Sequence, residues 1–288
     1  MITLTSGDMN AWIAALLWPL TRILGLIAAS PLYGNKSVPM SARVGLGIIL
    51  ASIIAPTVPA MPAADPMSLA GLLILVQEML VGVAMGFSIR IVFAAVEMAG
   101  ELSSLTMGLG FASFFDPMTS GRSSAISQFL ALIATMAFLA VNGHLILLSV
   151  LAESFTSMPI SATPMAAGAP FELVRWGGEI FAAGLQLALP IVAALLITNV
   201  ALGILTRAAP QLNIFGIGFP VSLGVGLLLL SVSLPYLSGP IERLFNDGLE
   251  ASRTVARSGG KRSPVVLPAV SPTPPPAPTP ADRTPAGQ

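Results

Sequence analysis

Cysteine is absent from this 288-residue chain, which excludes disulfides and thiolate chemistry. Charge is nearly as scarce, at 9% of residues against about 25% in soluble globular domains. There is one histidine, His144, and no His/Asp/Glu set at metal-ligand spacing. No nucleophile and base stand at a catalytic spacing, and no phosphate-cradling glycine loop follows a strand. His144, beside Asn142 and Gly143 at a helix end, therefore reads as a hydrogen-bonded structural residue. A nucleic-acid surface is excluded as well, because six basic residues (Arg243, Arg253, Arg257, Lys261, Arg262 and Arg283) lie after the last hydrophobic run and no basic patch forms elsewhere.

What is present is apolar: 55% of the residues are hydrophobic, which marks an integral membrane protein. No basic n-region or small-residue cleavage site accompanies the first apolar run, so that run is expected to be a retained helix. A span needs about 20 apolar residues. Six candidates follow: about Met9 to Leu32, Pro39 to Ala60, Met67 to Ala99, Ala125 to Leu151, Trp176 to Leu205 and Val221 to Leu237. The fold class is all-α, a polytopic membrane protein of about six hydrophobic helices. Residues 1–257 form the membrane domain, with a polar, helical segment running to Arg257. The Pro-rich tail, 258–288, has too few apolar residues to build a core and reads as disordered.

One internal stretch interrupts the apolar runs, from about Thr106 to Ser124. Gly108, Gly110 and Pro117 argue against a regular helix there, while Met107, Phe111, Phe114, Phe115 and Met118 keep it bulky. Lipid cannot satisfy an irregular backbone, so this loop must lie in protein, in a cavity or outside the bilayer. With Asp116 and Gly121 it reads as a movable plug, its soft thioethers and aromatic rings forming the seal and its glycines the hinges; the alternative is that these methionines and phenylalanines are packed core. A second irregular passage lies between Pro210 and Pro220 and includes Asn213.

The third run carries Glu78, Gly82, Gly86 and Arg90 at four-residue steps, continued by Glu97 and Glu101, all within a band of about 140°. Arg22, Glu78, Arg90, Glu97 and Glu179 each cost at least about 2.5 kcal/mol in a span and need partners. They are read as interhelical or intersubunit pairs, Gly82 and Gly86 permitting close backbone approach, with a proton or ion pathway as the alternative. Charge does not give a clean topology. The basic C-terminal segment points to the cytoplasm, yet Lys36, Arg43 and Arg122 would then fall on the opposite side. Either the helix count differs from six, or other subunits rather than lipid hold these helices.

The run from Ala201 through Thr206-Arg207-Ala208-Ala209-Pro210-Gln211-Leu212-Asn213-Ile214-Phe215 to Gly216-Ile217-Gly218-Phe219-Pro220 resembles the signature of the FliR family of the flagellar type III export gate. That family is related to the T components of virulence secretion systems. Gly82 to Arg90, Gly108-Leu109-Gly110-Phe111-Ala112, Asp116-Pro117 and Asn142-Gly143-His144 fit its pattern in order, over about Met9 to Arg257. The resemblance implies a non-enzymatic, inner-membrane component of the flagellar basal body that works without cofactors. One copy would join P and Q subunits in a helical assembly, with FlhB around its base and FlhA below. Unfolded flagellar subunits would cross the pore, and the loop from about Met107 to Arg122 would plug it. Glu78, Gly82, Gly86, Arg90, Glu97, Glu101, Arg207, Pro210, Asn213 and Pro220 are assigned to helix packing and subunit contacts. The rival reading is a secondary transporter of two three-helix halves, broken at Pro190 and Pro210; it predicts internal similarity, and the halves show no convincing match.

Overall fold

The structure, a computed structural model, describes residues 6–59, 62, 64–111, 123–162, 168–209 and 217–258. Among these residues eight α-helices follow in order: α1 (Ser6–Ala29), α2 (Met40–Ile54), α3 (Leu69–Thr106), α4 (Ala125–Ala140), α5 (Gly143–Ser157), α6 (Gly168–Gly177), α7 (Glu179–Ala208) and α8 (Phe219–Ser258). Single 3-10 turns occupy Ala55–Thr57 and Leu109–Phe111, and there is no strand among the described residues. The Pro-rich tail lies outside them.

Helix α3 is the axis. At 38 residues it is about 57 Å long, nearly twice the hydrocarbon core of a bilayer. Ser68 starts it, its hydroxyl accepting from the Gly71 N–H at 3.1 Å. Nothing breaks the backbone ladder until Gly108 takes φ +86°, so the helix passes the expected end near Ala99 and continues to Thr106. Helices α1, α4, α6, α7 and α8 pack around it, and α2 lies outside on α1. Three rings join α3, α4 and α8: Phe93 lies 5.7 Å from Phe138 and 5.4 Å from Phe245, and Phe138 and Phe245 are 5.0 Å apart.

Two runs differ from their sequence reading. The run from Ala125 to Leu151 is two helices meeting at 64°, because Asn142 adopts the left-handed conformation (φ 55°, ψ 25°). The next position has to be glycine, since a Cβ on Gly143 would fall on the Phe138 ring. Conversely, α8 does not stop near Leu237 but runs for 40 residues through Pro235 and Pro240. Each proline removes one ladder hydrogen bond, but Leu230, Ile241, Phe245, Leu249, Val255 and Ala256 stay buried along the helix, and that packing carries it past both.

Among the described residues four helical stretches are long and apolar enough to cross a membrane: Met40–Thr57, Leu69–Thr106, Pro170–Ala208 and Phe219–Arg257. The bent α4–α5 pair makes a fifth if counted as one span, and Ile13–Ala29 of α1 is a shorter apolar helix. The protein is all-α and polytopic.

Candidate functional site

A four-residue step turns a helix by 400°, so side chains at that spacing drift about 40° per step. The series on α3 therefore winds from one environment into another. Glu78, Gly82 and Gly86 are buried against α1, whereas Arg90 and Glu97 are exposed and Glu101 is half-buried. The glycines set the α1–α3 distance. A Cβ on Gly82 would fall on the Arg22 carbonyl oxygen, and one on Gly86 would sit 2.6 Å from that of Leu26. On the facing helix, a Cβ on Gly25 would sit 2.7 Å from the Met79 carbonyl oxygen. The backbones touch because neither side has a side chain between them.

This closeness delivers Arg22 to Glu78. Arg22 Nε donates to Glu78 Oε2 at 2.6 Å and Nη2 donates to Oε1 at 3.0 Å, a bidentate fork with both side chains at 0–1% exposure. Nη1 donates to Ser154 Oγ and Nη2 to the Met158 carbonyl oxygen, both at 3.0 Å. The guanidinium carbon lies 4.3 Å from the centroid of the Phe155 ring. One side chain thus ties α1, α3 and the end of α5 together. Arg22 is the lone charge of the first apolar run, which signalled that it needs a partner but not that Glu78 of the third run is that partner. Nothing in the sequence marked Ser154, Phe155 or the Met158 carbonyl.

At the other end of α3 the chain leaves and returns at nearly the same place. Met107 is fully buried, its thioether filling the space beside Gly226 of α8, where a Cβ would sit 2.9 Å from the sulfur. Gly108 turns the backbone where a Cβ would sit 3.3 Å from the Phe219 ring, and Leu109–Phe111 make one 3-10 turn containing Gly110. On the return, the Glu101 carboxylate accepts the Ser124 N–H at 2.7 Å. Ser124 Oγ caps α4 by accepting from the Ser127 N–H at 3.1 Å. Ser127 Oγ donates to the Glu97 carbonyl oxygen at 2.9 Å, and Ser127 packs so tightly on Gly100 that a Cβ there would meet its backbone. The stretch between these stems is pinned at both ends. Of the sequence-predicted plug, Met107, Gly108, Gly110 and the backbone of Phe111 belong to the first stem; Phe114, Phe115, Asp116, Pro117, Met118 and Gly121 lie outside the described residues. Met107 is a stem anchor in protein rather than a side chain lining open space.

In the second irregular passage, Pro210 and Asn213 also lie outside the described residues. Arg207 is exposed in the last turn of α7 and Pro220 is exposed in the first turn of α8. Near them Ser222 donates to Asn199 Oδ1 at 2.9 Å, a polar tie between α7 and α8 that the sequence did not advertise. Away from both sites, Tyr33 donates to the His144 carbonyl oxygen at 3.1 Å, and burial raises the pKa of its phenol, keeping it a donor. Among the described residues no group of three or more His, Asp or Glu stands close enough to hold a metal ion.

Residues 13–248 match the family model of bacterial export proteins, family 1. The chain is 42% identical over 247 residues to the flagellar biosynthetic protein FliR of Pectobacterium carotovorum, covering 86% of this chain and 94% of that protein. It is 40% identical to the FliR of Escherichia coli K12 over the same shares. With the FliR of Bacillus subtilis it shares 30% identity over 81% of this chain and 91% of the relative. The chain belongs to family 1 of the bacterial export proteins, with the FliR proteins.

Proposed function

We propose that this chain is a non-enzymatic, channel-forming component of the flagellar type III protein export gate. It sits in the bacterial inner membrane at the flagellar basal body. One copy joins the P and Q components to form a pore for unfolded flagellar subunits, with FlhB and FlhA as further partners. The observation that carries the reading is agreement with FliR proteins along 94% of their length, both for the Pectobacterium and the Escherichia relative.

The gating element in this reading is the loop between the stems at Met107 and Ser124. Its apolar bulk fills the lumen when the gate is idle, and a constriction lined by such side chains resists ions and water. The pinned stems support it. A plug must swing without dragging its helices, and here α3 and α4 are fastened to each other by Glu101, Gly100 and Ser127 below the loop.

Deleting about Gly110 to Gly121 tests the role. The assembled complex should still form, as judged by native mass spectrometry of the chain co-expressed with its neighbouring membrane-protein genes. Cells carrying it should leak small ions. An intact complex with unchanged permeability would refute the plug.

A further inference from the structure

Helix α3 keeps one stripe uncovered along its length. From Leu80 to Glu97 the exposed and half-buried positions, 80, 83, 87, 90, 94 and 97, recur at alternating steps of three and four residues, and Val76 and Glu101 extend the series at either end. That is the 3.5-residue period of a seam between two helices wound left-handedly about each other. The first half of the stripe is apolar, with Val76 and Leu80 each about half exposed. Its second half mixes kinds: Phe87 is 40% exposed and Leu105, one turn past Glu101, is 61% exposed, while Arg90 and Glu97 stand between them. Among the described residues neither Arg90 nor Glu97 makes an ion pair.

This mixture suits neither solvent. In lipid each charge would cost at least about 2.5 kcal/mol. In water the large apolar side chains on either side of the charges would remain uncovered. A protein helix satisfies both, offering apolar contact along the seam and opposite charge at two places.

We propose that this stripe is the seat of a helix from a second membrane protein of the gate. That helix carries a carboxylate opposite Arg90 and a basic side chain two turns along, opposite Glu97. The inference rests on the gate reading and deepens it by giving the contact surface and the partner's chemistry.

The test uses the full chain in its co-expressed complex. A photoreactive benzoylphenylalanine at position 87 or 94 should cross-link to one other polypeptide, through a helical peptide bearing an acidic and a basic residue two turns apart. Because the chain has no cysteine, Val83→Cys is its only thiol. It should resist a membrane-impermeant maleimide in the complex and react once the complex is dissociated. Arg90→Glu should lower recovery of the complex by about tenfold or more, and Arg90→Lys should retain most of it. An assembled complex in which Val83→Cys reacts freely, or in which positions 87 and 94 cross-link to lipid alone, overturns this inference and leaves the gate reading standing. Recovery of the unsubstituted chain without any partner would remove both.

Discussion

Arg22–Glu78 and Arg90–Glu97 pose the same chemical problem along α3, the first with its arginine supplied by α1, and it is met with opposite solutions. The first pair is sealed inside the chain, forked, hydrogen-bonded to Ser154 and Met158, and covered by Phe155. Twelve residues beyond Glu78, α3 has emerged from α1 and its next charges face outward without an ion pair among the described residues. The difference teaches where this fold is finished. At the level of Glu78 three helices supply every group the charge needs; at the level of Arg90 the helix still waits for groups from outside. Two windows of α3 and α8 repeat the contrast, with 67% of one buried inside the chain and 17% of the other.

The largest expected effect breaks the finished end. Removing one member of a buried pair strands the other, at a cost of about 3–5 kcal/mol. Glu78→Ala or Arg22→Ala should therefore lower the melting temperature of the detergent-extracted protein by roughly 10 °C, or prevent its accumulation in membranes. Replacing both with methionine should cost much less, because no charge is left buried. A double variant as unstable as either single one would place the cost in losing the fork itself rather than in stranding a charge.

Next comes the spacing that makes the fork possible. Gly82→Ala places a methyl against the Arg22 carbonyl, a backbone atom that no rotamer change can move, so α1 and α3 must separate. We expect about 1–3 kcal/mol of destabilisation, read as a lower melting temperature. Gly203→Ala meets no atom within 4 Å and should be neutral or stabilising by up to about 1 kcal/mol, because alanine is the better helix former. Equal effects at the two glycines would deny that close packing separates the two regions.

How much of this was legible follows from which forces act locally. The apolar runs, the four-residue series and the glycines at 82 and 86 are written in the sequence because helical periodicity is local. That Arg22 needed a partner followed from burial cost alone; which partner, and that Ser154 and a carbonyl complete it, depends on where α5 ends, and that is set by Asn142. The 64° break there was not legible, since an asparagine in the left-handed conformation looks in sequence like any polar residue near a helix end. Nor was the passage of α8 through Pro235 and Pro240: local propensity votes for a stop, and tertiary packing overrides it. The series itself misled in one respect. A band of 140° read as one face is, after five steps of drift, two faces with different neighbours.

Ser154→Ala offers a finer cut at the same fork. It leaves Nη1 without its hydroxyl acceptor while keeping the carboxylate, the Met158 carbonyl and the Phe155 ring. The loss should be about 1–2 kcal/mol, smaller than for Glu78→Ala and additive with a distant change such as Gly203→Ala. A null result would mean that the Ser154 hydroxyl adds nothing to the hold of the fork, the Met158 carbonyl and the Phe155 ring on Arg22.

The smallest effect lies at the stem of the loop. Glu101 is half-buried, and its carboxylate meets one backbone N–H, that of Ser124, at 2.7 Å. Glu101→Gln keeps an acceptor oxygen of similar reach and removes only the charge assistance, so global stability should change by about 0.5 kcal/mol or less. Its consequence should instead be local. With the return stem held less firmly, the amide of Ser124 should exchange hydrogen faster than that of Gly71, whose acceptor Ser68 is untouched. Unchanged exchange at Ser124 would assign the hold on α4 to Gly100 and Ser127 alone, leaving the outward turn of Glu101, like that of Glu97, free to serve a partner.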